Sequence, residues 1–200
     1  MKFFRNVATG RYECRLGPIF KSKKRRFHVK NSKIFVLVGV ALLTAALCAV
    51  AVAQDQATAQ EVVKKVREAA STLSKTSDVA QFNEKQGPWV WKDTYVFIQD
   101  CDKKVVAAHP IKPEQIGKDL ASVKDAKSGK SAFPEDWCKR VENAPSGAWN
   151  EYMWPKPGEK EASRKLAYCL RAKGTPYVAC SGVYDDKATI VEVSKLSSGK

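Results

Sequence analysis

Residues 34–53, IFVLVGVALLTAALCAVAVA, hold no charged side chain in 20 positions, and Thr44 is their one plainly polar residue. A helix of that length, at ~1.5 Å per residue, just crosses a hydrocarbon core of ~30 Å. The run decides the compartment of everything after it, and so what the cysteines can be. Two readings compete. One is a signal peptide cut after Ala51-Val52-Ala53, a small-x-small site immediately before Gln54. The other is an uncleaved helix that anchors the chain in the inner membrane. The alanine-rich second half favours cleavage. A lipoprotein reading at Cys48 is poor, because Leu47 stands where a small residue is wanted. Residues 1–33 carry eleven Lys/Arg against one acid, Glu13, so the N-terminus stays in the cytoplasm and the rest is expected in the periplasm or secreted. Residues 29–33 with the apolar run already make an ordinary signal peptide, so translation is expected to begin at Val29, with residues 1–28 not translated.

The formal charge of +14 would by itself suggest a nucleic-acid binder. Its distribution argues otherwise. Residues 54–200 hold 24 Lys/Arg against 20 Asp/Glu, with both signs interspersed, so the excess sits in the leader. Those 147 residues suit one domain with a core of its own. A domain over 54–193 and a flexible Ser/Lys/Gly tail over 194–200 are expected.

Thr58-Ala59-Gln60-Glu61 fits a capping box, and Val62, Val66, Ala69, Ala70 and Leu73 follow at helical spacing. This predicts a long amphipathic helix. A shorter helical piece begins at Asp78 and is broken at Gly87-Pro88. Strands are predicted over 94–99 and 104–109, joined by a turn at 100–103. Residues 110–147 are irregular, with a short helix over 136–143. Strands resume over 149–154, 164–171 and 177–184, with 190–193 as a short extension. Strands arriving in hairpins imply an α+β domain with an antiparallel sheet of about five strands.

Three pieces carry a family resemblance: PWVWKDTYVFIQDCDKKVVAAHP at 88–110, EYMWPKPGEKEASRKLAYCL at 151–170, and PYVACSGVYDD at 176–186. With IGKDL at 116–120 between them, the chain resembles a single Cache domain over roughly residues 60–186. The resemblance implies a PAS-like sheet carrying a long N-terminal helix, in an extracytoplasmic sensor of small molecules, with the binding site on the sheet. After Asp186 the sequence holds fourteen residues, so a stand-alone form is expected. It would work with a separate membrane receptor or kinase, or as a homodimer.

Period-2 alternation puts Trp91, Tyr95 and Phe97 on one strand face, and Tyr152 and Trp154 on one face of a later strand. They offer a rigid apolar wall, and His109 and Lys165 are the candidate donors for an anionic group. Tyr168 is a further candidate, but alternation sets it on the opposite face from Lys165, so at most one of the two points into a pocket unless the strand is bulged. The expected ligand is a small organic molecule, a short carboxylate or similar metabolite. The alternative is a cell-envelope structural or interaction module whose pocket is filled by its own side chains.

Four cysteines remain beyond the leader. Cys169 and Cys180 lie symmetrically about a turn at Gly174-Thr175 and are expected to pair across a hairpin, leaving Cys101 with Cys138. No CxxC, G-x-S-x-G, H-E-x-x-H or P-loop pattern is present. No enzyme activity, cofactor, metal or nucleic-acid partner is expected.

Overall fold

The computed structural model describes residues 55–198. The apolar run, its cleavage site at Ala53, the Val29 start and the first two cysteines lie outside them. Among the described residues no helix is long and apolar enough to cross a membrane.

Helix α1, Ala59–Thr76, begins at the capping box read from the sequence. Thr58 accepts from the Glu61 N–H, and the Glu61 carboxylate accepts from the Thr58 N–H at 2.8 Å. It ends at Ser77, in the left-handed region at φ 52°, whose N–H closes on the Leu73 carbonyl. Its buried stripe is Val62, Val63, Val66, Ala69, Ala70 and Leu73.

A two-residue hairpin follows, β1 (Val90–Trp91) and β2 (Thr94–Tyr95), turning at Lys92-Asp93 with Lys92 at φ 48°. The turn is fastened to the start of α1. Lys92 pairs with Glu61 at 2.8 Å, and the Asp93 carboxylate accepts from the Ala57 N–H at 2.8 Å. The five-stranded sheet is built from β3 (Phe97–Asp100), β4 (Val105–Ala108), β5 (Ala148–Pro155), β6 (Ala162–Arg171) and β7 (Tyr177–Tyr184). Every pairing is antiparallel, in the order β4-β3-β7-β6-β5. This is the α+β architecture the strand order implied.

Helix α1 lies across β7 and β6. Its stripe meets Val96, Ile98, Leu166, Ala179 and Val183 from that face. The other face is covered by residues 109–147, which carry helix α2 (Trp137–Glu142) and two 3-10 turns, Pro113–Gln115 and Leu120–Ser122. This lid is stitched to both edge strands. At β4 the Val106 N–H donates to Lys118 and the Gly117 N–H to Val106. At β5 the Ala126 N–H donates to Met153, whose own N–H donates to the Asp125 carboxylate. The lid thereby satisfies backbone groups that edge strands would otherwise leave open.

Two segments differ from expectation. The strand predicted over 94–99 breaks at Val96, whose N–H bonds the Trp89 carbonyl while β2 and β3 join different sheets. Residues 190–193, expected as a strand extension, and 194–198, expected as tail, form one helix, α3 (Ile190–Ser198). It packs against β5 and α1. There the Trp149 indole donates to the Ser197 hydroxyl at 3.2 Å, and the Arg67 guanidinium donates to the Ser197 carbonyl at 2.7 Å.

Candidate ligand pocket

Alternation along the strands gives the lid-side face a population of its own. β2 and β3 contribute Tyr95 and Phe97, β5 contributes Tyr152 and Trp154, β4 contributes Val106, and His109 follows the end of β4. The lid supplies Gln115, Val123 and Phe133. These residues line a small cavity with room for about one water. The rings pack edge to face or tilted: Tyr95 and His109 at 4.8 Å, Phe133 and Tyr152 at 5.4 Å, Tyr152 and Trp154 at 6.1 Å. The Trp154 indole donates to the Tyr95 hydroxyl at 2.9 Å.

His109 is 5% exposed. Its Nδ1 accepts from the Lys112 N–H at 3.0 Å, which leaves the ring proton on Nε2. Burial, and then the charges of Lys165 and Lys112, hold its pKa down to about 3, so the imidazole is a neutral donor at any ordinary pH. Burial pushes Tyr95, Tyr152 and Tyr184 upward, so their phenols keep their protons.

Lys165 is fully buried, and its ammonium has no hydrogen-bond partner among the described residues. The Nζ atom sits over three rings instead, 4.2 Å from the centre of Tyr95, 5.2 Å from Tyr184 and 5.4 Å from Phe97. It does not line the cavity directly but packs on Tyr95 and Phe97, which do. The aliphatic stem occupies the place where Gly182 lacks a side chain: a Cβ there would come within 2.5 Å of the Lys165 Cε. Burial pulls the Lys165 pKa down to about 7, opposed by the negative charge of Asp93.

Six of the eight candidates from the sequence thus share this face: Tyr95, Phe97, His109, Tyr152, Trp154 and Lys165. Trp91 does not. The chain reverses at Lys92-Asp93, so parity does not carry from β1 to β2, and Trp91 packs in the core under α1. Tyr168 is also on the helix side, beside Trp149 at 5.2 Å, with its hydroxyl donating to the Ser146 carbonyl. Tyr184, Gly182 and the lid residues were not anticipated. For Tyr184 and Gly182 the signal was present, since alternation from Cys180 puts both on the Lys165 face. For Phe133 and Val123 no periodicity existed to read.

The structure joins Cys169 to Cys180 between directly opposed positions of β6 and β7, with Cα atoms 4.1 Å apart. Cys101 is joined to Cys138 at 5.5 Å, tying the turn after β3 to α2 of the lid. Among the described residues no group of three or more His, Cys, Asp or Glu side chains could hold a metal ion.

A family model described as a Cache domain matches residues 89–189. Solved structures are also similar. One, titled a periplasmic sensor domain of a chemotaxis protein, shares 23% identity at a TM-score of 0.48, covering 69% of this chain and 100% of the other. A second, titled for carboxylic acid recognition by a Cache chemosensory domain, shares 25% at 0.46, covering 78% and 100%. A third, a methyl-accepting chemotaxis protein from Vibrio parahaemolyticus, shares 21% at 0.38, covering 77% and 86%.

Proposed function

The chain belongs to the Cache domain family of extracytoplasmic sensor modules, and we propose that it binds a short carboxylate, without turning it over, in the cavity between the sheet and the lid. The observation that carries this reading is Lys165. An ammonium without an acceptor packs on Tyr95 and Phe97 of the cavity wall, and a neutral histidine with a proton on Nε2 lines the same cavity. An anion in the cavity would supply the charge that this cluster lacks, and the rings would cover its apolar part. The domain would then report occupancy to a separate membrane receptor or kinase, or through a homodimer.

A thermal-shift screen of the purified protein against organic acids, amino acids and amines tests the reading. A ligand at 100 times its dissociation constant adds ~2.7 kcal/mol, and two- to four-carbon monocarboxylates should give the largest rise in Tm. In calorimetric titrations of the best hit, Lys165→Met should bind roughly 30-fold more weakly or worse, since a desolvated carboxylate loses ~2–5 kcal/mol with its cation. Equal affinities would remove Lys165 from the site.

One observation favours a second reading. The cavity has room for about one water, and the aromatic cage already holds the protein's own cation. On that reading the pocket is self-filled and the domain is an interaction module of the envelope. No member of the panel raising the Tm would favour it.

A further inference from the structure

We propose that this site takes its carboxylate together with a proton, which Lys165 picks up as the anion binds. The inference rests on the binding reading above and adds how affinity depends on pH. Its ground is the composition of the space around the ammonium. β2, β3 and β7 face it with Tyr95, Phe97 and Tyr184, all uncharged. Tyr152, directly opposite Lys165 on β5, keeps its proton, and His109, which lines the cavity, is neutral as well. The acid that acts on Lys165 is Asp93, on the β1–β2 turn. Its carboxylate is already engaged by the Ala57 N–H at 2.8 Å and by Lys156 at 3.8 Å. The other nearby cation, Lys112, lies over the outer wall, 4.8 Å from the Trp154 ring centre, and adds positive charge rather than relieving it.

A charge in such a place is held down by its surroundings, and Lys165 titrates near neutrality as a result. Tyr95 and Phe97 line the cavity and the ammonium packs on both rings, so an anion there lies one ring's depth from a cation that is shut away from bulk solvent, and their attraction is weakly screened. Occupancy therefore raises the lysine's pKa, and by linkage the proton raises affinity for the anion equally. Short carboxylates are ionised throughout the pH range 6–9, and His109, with a pKa of about 3, stays neutral there. The proton taken up is then the one that Lys165 acquires.

The measurement is isothermal titration of the full chain with propionate, acetate and lactate at pH 6, 7, 8 and 9. Each is run in phosphate and in Tris, whose different ionisation enthalpies reveal the number of protons exchanged. The expected result is near-constant affinity below pH 7, a fall approaching tenfold per pH unit above it, and uptake of nearly one proton per ligand at pH 8. Lys165→Met should bind weakly, with a flat pH profile and no uptake. Binding that is independent of pH with no proton taken up overturns the inference and leaves the binding reading standing. Proton uptake that persists undiminished in Lys165→Met also overturns it, by assigning the proton elsewhere. No binding of any of the three acids at any pH removes the binding reading, and the inference falls with it.

Discussion

Leu166 and Lys165 are adjacent, both fully buried, and point to opposite faces of one sheet. Leu166 enters an interior of aliphatic side chains, alanines and aromatics under α1, which carries no charged side chain and where Trp149 and Tyr168 bond to Ser197 and Ser146. Lys165 enters a lid-covered layer of rings, a neutral imidazole and an unpartnered ammonium. The helix side buries no charge, and the one polar atom it leaves without a partner among the described residues is the Trp91 indole N–H. The lid side is left incomplete, and it is there that a second molecule could add something. The proposed site and the aliphatic core are thus carried by alternate residues of the same strands.

The largest expected effect breaks the helix side. Phe82 is fully buried and stacks on Trp89 at 4.7 Å, so Phe82→Ala should lose ~3–5 kcal/mol in denaturant unfolding while ligand affinity, measured below the transition, stays unchanged. The lid side should respond in the opposite sense. Lys165→Met replaces a buried charge by an apolar chain of similar length, and should gain ~1–4 kcal/mol at pH 6 while losing affinity. The pH dependence has a definite sign. The folded pKa of about 7 lies below the ordinary 10.5, so the destabilisation is full below pH 7 and is relieved as pH rises towards 10.5. The advantage of Lys165→Met over wild type should therefore shrink across that window in parallel denaturant titrations.

Two smaller effects sharpen the contrast. Gly182→Ala sets a Cβ against the Lys165 stem and should lose ~1–3 kcal/mol, part of it recovered in the Gly182→Ala/Lys165→Ala double variant. Full additivity of the two single changes would show that the stem is not what Gly182 accommodates. Asp125 holds the lid on β5. Its burial opposes ionisation, but the N–H groups of Met153, Ser128 and Lys127 prevail and hold its pKa at about 2. That stabilisation is present above about pH 4 and is lost as pH falls towards 2. Asp125→Asn should lose ~1–2 kcal/mol at pH 7 and speed hydrogen exchange in residues 123–133, leaving α1 unaffected.

What the sequence revealed of this division follows from how local each signal is. The start of α1 was legible because Thr58 and Glu61 form a reciprocal pair three residues apart. The opposition of Lys165 and Tyr168 was legible because a regular strand keeps parity. Trp91 was misplaced because Lys92 takes a positive φ without glycine, so no residue type announced the turn. The final helix was misread because Ile190, Val191 and Val193 favour strands. Yet Thr189 and Glu192 form a second capping box, with the Thr189 N–H on the Glu192 carboxylate at 2.9 Å, and that spacing was visible. The lid was illegible for a deeper reason. Its contacts join residues far apart in sequence, such as Phe133 with Phe97 and Asp125 with Met153, and no period relates them.

The Cys169–Cys180 bond closes a short loop and restrains the unfolded chain. It fixes which residue of β6 faces which residue of β7. A slip of one position would turn every side chain of β6 to the other side, moving the lysine's charge into the aliphatic interior and Leu166 among the rings. Lys165 lies four residues before Cys169, on the same face, so the register that the crosslink holds is also the one that keeps the charge on the lid side. The crosslink thus locks the alignment in which Lys165 faces the lid and Leu166 the helix.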